Sequence, residues 1–172
     1  MLNTAPDTGD NALVALDAQT GAFVWQISLD SYGDLLASES AVSIQHNDSN
    51  GYLLLDPNTG ITRTVISTVT GALLVGNQLY VREQLSNNLV AYDAETGGQL
   101  WLVSAPSDSV LVAANASRVL TFQQYDYGIG DQTNLLSVYD SGGNPLGDVT
   151  LTTVPETPRV VLWDNTLYYL YV

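Results

Sequence analysis

The chain has 172 residues, 45% of them hydrophobic, which is enough for one domain with a sizeable core and argues against global disorder. Eighteen acidic residues against four basic ones give a formal net charge of −14 at pH 7, so no basic stripe exists to displace the counterions of a nucleic acid or to hold an anionic membrane surface. Cysteine is absent, which excludes disulfides, thiolate metal sites and cysteine nucleophiles, and no apolar run is long enough to span a bilayer.

The four bases are Arg63, Arg82, Arg118 and Arg159, and there is no lysine. Fourteen of the acids are Asp, a balance that serves solubility and that salt-adapted proteins share. The first segment, "MLNTAPDTGD", carries neither the basic nor the apolar stretch of a secretory signal. A signal, if the protein has one, lies upstream of it.

"VALDAQTGAFVW" from Val14 to Trp25 reads as a strand, a tight turn and a second strand. The turn is marked by Asp17, Thr20 and Gly21, because Thr-Gly supplies the left-handed backbone that a hairpin needs. "GDLLASESAVSIQH" (Gly33 to His46) is a further hairpin, followed by "YLLLDPNTG" with Asp56, Thr59 and Gly60. "GALLVGNQLYVRE" (Gly71 to Glu83) repeats the hairpin, and "VAYDAETGGQLW" repeats the anchored turn with Asp93, Thr96, Gly97 and Trp101. "SVLVAANASRVLTFQ" (Ser109 to Gln123) precedes "LSVYDSGGN" with Asp140, and "PRVVLWDNTLYYLYV" (Pro158 to Val172) closes the series. No window sustains a helical period, and Pro and Gly fall between the apolar runs.

The anchors Asp17, Asp56, Asp93 and Asp140 recur every 37 to 47 residues, each within one hairpin, and a second hairpin precedes each of the later three. Four short antiparallel strands per unit of about 40 residues is the pattern of a β-propeller blade. The expected fold is therefore all-β, with three complete blades and two half blades. The predicted divisions are a half blade at 1–30, blades at about 31–68, 69–106 and 107–153, and a half blade at 154–172. The halves could pair into a small four-bladed ring, with the strand around Tyr169 beside that around Val14. The alternative reading, which the apolar final strand favours, is a segment of a seven- or eight-bladed propeller whose open edges self-associate.

The residues "ALDAQTGAFVW" and "AYDAETGGQLW" resemble the tryptophan-docking repeat of the pyrroloquinoline-quinone (PQQ)-like propellers. That superfamily includes the quinoprotein alcohol dehydrogenases and non-catalytic outer-membrane assembly scaffolds. The Asp56 repeat has Thr64 where the Trp is expected, and the Asp140 repeat has Asp148 there. The resemblance implies that Trp25 and Trp101 dock onto the neighbouring blade, a role suited to a large ring with one N–H. It also implies a periplasmic or extracellular location. In the enzymes of the family the quinone sits over the central channel with a calcium or lanthanide ion, an Asp base and often a vicinal disulfide. Without cysteine, and with no tryptophan platform placed on the axis, neither PQQ nor calcium is expected here.

Other chemistry is sparse. His46 stands alone in the sequence, so no multi-histidine metal site can form, and no Gly-x-Ser-x-Gly elbow is present. Asn47 and Asn115 begin glycosylation-type triplets. The longest connection, "QQYDYGIGDQTN" (Gln123 to Asn134), offers Tyr125, Asp126 and Tyr127 as an adaptable binding loop. Asp126 and Asp131 are the carboxylates a calcium ion would take there. The expectation is a non-catalytic scaffold that binds a protein partner. The alternatives are a segment of a PQQ-dependent alcohol or sugar dehydrogenase, or a carbohydrate-binding propeller.

Overall fold

The computed structural model describes residues 11–30, 33–46, 51–125, 133–152, 159–164 and 166–170, some strand ends by backbone alone. These residues form sixteen β-strands and no helix. The first sheet has two strands, β1 (Asn11–Leu16) and β2 (Phe23–Leu29). The second has four, β3 (Leu35–Ala37), β4 (Val42–His46), β5 (Gly51–Leu55) and β6 (Thr62–Ile66). The third comprises β7 (Val69–Val75), β8 (Gln78–Glu83), β9 (Asn88–Asp93) and β10 (Gln99–Ser104). The fourth comprises β11 (Val110–Ala114), β12 (Arg118–Tyr125), β13 (Thr133–Asp140) and β14 (Pro145–Thr152). The last pairs β15 (Arg159–Trp163) with β16 (Thr166–Leu170).

All pairings are antiparallel between consecutive strands, so each full sheet is a four-stranded meander. The first strands β7, β11 and β15 stand side by side, as do β3 and β7, so the sheets radiate from a common line. This is propeller architecture, with three complete sheets between two half sheets. Within the described residues, β1 pairs with β2 alone and β16 with β15 alone, and the two-stranded sheets do not join.

Each full sheet has two apolar faces, and the period-2 alternation of its strands sends alternate side chains into different joints. In β8, Leu79 and Val81 join Tyr52, Leu54 and Val90 in the core between the second and third sheets. Tyr80, between them in sequence, joins Leu89, Val119 and Tyr139 between the third and fourth. In β12, Val119 faces back into that joint, while Leu120 and Phe122 pack forward with Leu136, Leu162 and Leu167. No single sheet can bury both faces alone, so the joints between sheets are the core.

Candidate binding face

The sheets meet at two ends, and each end has its own fastening. At one end lie the turns after the anchor aspartates. Asp17 Oδ1 accepts from Gln19 N (3.1 Å), Thr20 N (2.7 Å) and Thr20 Oγ1 (2.6 Å). Asp56 and Asp93 make the same three contacts with residues two and three positions on. Asp140 instead accepts from Gly142 N and from Asn144 N and Nδ2. These donors favour the ionised form, so all four carboxyls are held below their ordinary value. The largest cause is the Thr20 hydroxyl at Asp17, Arg63 at Asp56, the Thr96 amide at Asp93 and the Asn144 side chain at Asp140. Gly21, Gly60 and Gly97 close the turns at φ +68°, +70° and +73°.

Each turn except the first receives a side chain from the sheet before it. The Trp25 indole donates to Pro57 O at 2.8 Å, and its ring lies where a Cβ on Gly60 would be, 2.7 Å away. Trp101 donates to Ser141 O at 2.8 Å, with its ring at the same 2.7 Å from a Cβ built on Gly143. The glycine is thus needed twice at these turns, for its positive φ and for the ring pressed against it. Trp25 is 8% exposed, and Trp101 is half-buried beside Tyr80, ring centroids 5.9 Å apart.

The middle joint has no tryptophan, and the residue that replaces it was not visible in the sequence. Thr64 stands opposite Leu54 as Trp25 stands opposite Ala15, and it touches the Gly97 position. Arg63 occupies the bulge just before it. Its guanidinium donates to Ala94 O (2.5 Å), which is the carbonyl equivalent to Pro57 and Ser141, and to Ser40 O (2.6 Å). It also pairs with Asp56 at 2.7 Å, both side chains largely covered. The extra residue of a bulge re-aims a side chain, which lets an arginine reach what the indole reaches elsewhere. At the corresponding bulges the chain has Val24 and Leu100, both exposed. In the fourth sheet the register corrects the expected Trp position from Asp148 to Gly147. The Asp140 turn is one residue shorter, so Gly147 stands opposite Val138 and Leu146 takes the bulge.

The opposite end carries the β2–β3, β6–β7 and β10–β11 connections and the turns between second and third strands. Here Arg82, only 2% exposed, spends its five N–H groups on uncharged acceptors. Nε donates to Ser109 Oγ, Nη1 to Glu83 O and Asn88 O, and Nη2 to Asn87 Oδ1 and Pro106 O. Ser109 and Pro106 belong to the approach to β11, so Arg82 ties the third sheet to the fourth. Burial pushes its guanidinium below the ordinary value, while Tyr139, Asp108 and Glu83 act the other way. Beside it lies a cleft of about 280 Å³ lined by Thr70, Arg82, Glu83, Asn87, Asp108 and Ser109. Thr68, Asn87 and Asp108 at this end all hold positive φ, near +55°. For a β-branched residue such as Thr68 that conformation is costly.

The fourth sheet projects from this same end. Pairing of β8 with β9 stops at Arg82↔Leu89, whereas β12 and β13 continue through Gln123↔Leu135 and Gln124↔Asn134 to Tyr125↔Thr133. β14 follows, reaching Thr152 opposite Thr133. Against the third sheet this is three more pairs between β12 and β13 and two more between β13 and β14, about 7–10 Å of extra strand in a three-stranded tongue, at about 3.4 Å per residue. Gln123 is buried at its root and donates to Ser107 O at 2.6 Å. At the same end, the β8–β9 turn of the third sheet carries Leu85, 82% exposed.

Of the loop expected to bind, Tyr125 ends β12, and Asp126, Tyr127 and Asp131 lie outside the described residues. His46 is the half-buried last residue of β4, opposite Gly51. Asn115 is occupied as a tie between sheets, its Nδ2 donating to Asp164 O at 2.8 Å, and Asn47 lies outside the described residues. Among the described residues no three His, Cys, Asp or Glu side chains converge as a metal site.

Residues 3–140 match the family described as outer membrane protein assembly factor BamB. The chain belongs to that family. No curated protein matches the BamB-family chain. Among solved structures it is similar to Hsv2 of Kluyveromyces lactis, at 15% identity and a TM-score of 0.69, over 90% of this chain and 49% of that one. It is similar to a chain in the S. cerevisiae complex of dbp5 with nup159 and gle1, at 15% identity and a TM-score of 0.53, over 84% of this chain and 43% of that one. The crystal structure of BamB from Moraxella catarrhalis shares 16% identity, with a TM-score of 0.43 over 93% of this chain and 73% of that one. The BamB-family chain thus spans about half the length of the Hsv2 and dbp5-complex chains. At these identities the likeness is one of fold.

Proposed function

We propose that this chain is a non-catalytic propeller scaffold that binds a protein partner outside the cytoplasm, without PQQ or calcium. The carrying observation is the end that holds Arg82. The β12–β14 tongue rises there, at the end that also carries the polar cleft and exposed Leu85, while the opposite end is occupied by the turns that fasten sheet to sheet. A projecting β-surface and an exposed apolar side chain at the same end suit protein recognition. Membership of the BamB family and the fold shared with a chain of the dbp5–nup159–gle1 complex support the reading. The family description also supports the location.

The test places a photo-crosslinking amino acid at Leu85, and separately at Thr20 on the opposite end, in the protein expressed in its host. A discrete adduct from position 85, absent from position 20 and recovered from the extracytoplasmic fraction, is expected. Adducts from position 20 alone, or none from either, overturn the binding face. A stoichiometric complex of the purified chain with PQQ and calcium overturns the non-catalytic assignment.

A further inference from the structure

At the joint of the third and fourth sheets the repeat departs from its neighbours. The second-strand residue that pairs four positions before the anchor aspartate is Gln45 in the second sheet, Arg82 in the third and Phe122 in the fourth. The residue after it is His46, Glu83 and Gln123 in turn. The propeller repeat therefore does not require a cation and an acid side by side, yet β8 carries them. The β10–β11 connection adds Asp108 and Ser109, and Val110 opens β11; all three line the cleft of about 280 Å³ beside Arg82.

The hydrogen bonds decide which ligand chemistry the cleft can take. Arg82 has given all five N–H groups to protein acceptors, so it keeps no donor for a carboxylate or a phosphate. Acceptors, by contrast, remain. Glu83 takes its two hydrogen bonds, from Ser86 Oγ and Asn88 Nδ2, on Oε2. Its Oε1 and both carboxyl oxygens of Asp108 accept no hydrogen bond among the described residues. Two carboxylates against one guanidinium leave the cleft acidic. Its wall is not wholly polar, because exposed Val110 lines it as well. Free acceptors, a residual negative charge and an apolar wall match a side chain with an aliphatic stem and a cationic donor head.

We propose that this cleft receives a lysine or arginine side chain of the protein partner, its charge met by Glu83 and Asp108 and its stem by Val110. The inference rests on the reading of the Arg82 end as the binding face. Charge complementarity extends beyond the cleft. The chain carries a net charge of −14, and the β2–β3 connection at the same end is bounded by Asp30 and Asp34. Exposed Leu85 directly follows Gln84, a residue of the cleft wall. The surface thus fits a basic segment that carries an apolar residue near its charge, with the opposite charges steering the encounter.

The probes are acetyl-arginine amide and acetyl-lysine amide, titrated into the isotope-labelled chain and followed by amide chemical shifts, with acetyl-glutamate amide as the anionic counterpart. Saturable shifts confined to residues 83–87 and 108–110 are expected with the two cations and not with the anion. Shifts of equal size at the Asp17 and Asp93 turns would mean attraction to acidic surface at large. That outcome, binding of the anion, or no shifts at all overturns the proposal. Glu83→Gln keeps an acceptor for Ser86 and Asn88, and Asp108→Asn keeps a residue that tolerates positive φ, so both variants should fold. Together they should weaken cation binding about ten-fold, the order expected of two solvent-facing ion pairs. Where the double variant fails to fold, Asp108→Asn alone must weaken it, and unchanged affinity in a folded variant refutes the slot. The cross-link from position 85 separates the slot from the face. An adduct that forms in the unaltered chain and persists undiminished in the double variant leaves the face standing and overturns the slot. No adduct in either overturns the face itself, and with it the partner named here.

Discussion

Gly60→Ala and Gly21→Ala are nearly the same perturbation of the backbone, for the two residues hold φ +70° and +68°. They differ in what stands above them. A Cβ on Gly60 would lie 2.7 Å from two atoms of the Trp25 ring, whereas a Cβ on Gly21 meets nothing within 4 Å. The left-handed conformation costs an L-residue about 1–2 kcal/mol at either site. Only at Gly60 must the indole also shift, and overpacking of that kind adds about 1–3 kcal/mol. The Gly60 variant should therefore lose about 1–3 kcal/mol more than the Gly21 variant. In a chain of this size that gap is roughly 2–12 °C in Tm. Urea unfolding followed by circular dichroism measures it, and the cycle with Trp25→Ala apportions it. With the indole gone, Gly60→Ala should cost only the backbone share. Equal costs for the two glycines, or an undiminished cost in the Trp25→Ala background, would refute docking of the ring on the turn.

Arg63→Ala should destabilise by about 1.5–3 kcal/mol, the scale of hydrogen bonds to a charged group; Arg63→Lys should recover little of it, because the fork that reaches Ala94 O, Ser40 O and Asp56 together is lost. Replacing Arg63 and Thr64 by Leu and Trp, the pair found at 100 and 101, should restore stability in the same denaturation assay. Arg82→Leu leaves the Pro106 and Asn88 carbonyls without their donor and should cost about 1–3 kcal/mol, with faster amide exchange around residues 105–110 as the readout. The turn carboxyls of Asp17, Asp56, Asp93 and Asp140 are lowered by folding, so the stability they contribute is fully present above their unfolded value, about 3.9. It is lost as pH falls through the lower folded values. NMR titration should find all four below that value, and Arg63→Ala should raise Asp56 most.

The strand-turn-strand repeats, their spacing and the propeller class were legible in the sequence because each rests on local chemistry. An Asp with Thr-Gly three and four positions on closes the turns at Asp17, Asp56 and Asp93, and short apolar runs between such turns read as strands. The same reading placed Trp25 and Trp101 at matching offsets. Reading failed where geometry depends on register. Counting residues set Asp148 in the tryptophan position, but a turn one residue shorter moves Gly147 there. Arg63 carried no signal in the sequence, because nothing in a linear string shows that a bulge aims it at Ala94 of the next sheet. Arg82 likewise gains a role only when β8 lies against the approach to β11 and its N–H groups all find partners. The tongue was foreseen as a long connection, yet its height came from three further β12–β13 pairs. Local backbone preferences determined the strands and turns by themselves. The contacts between sheets were decided only by tertiary structure, because they join residues 24 to 49 positions apart whose meeting no local preference encodes.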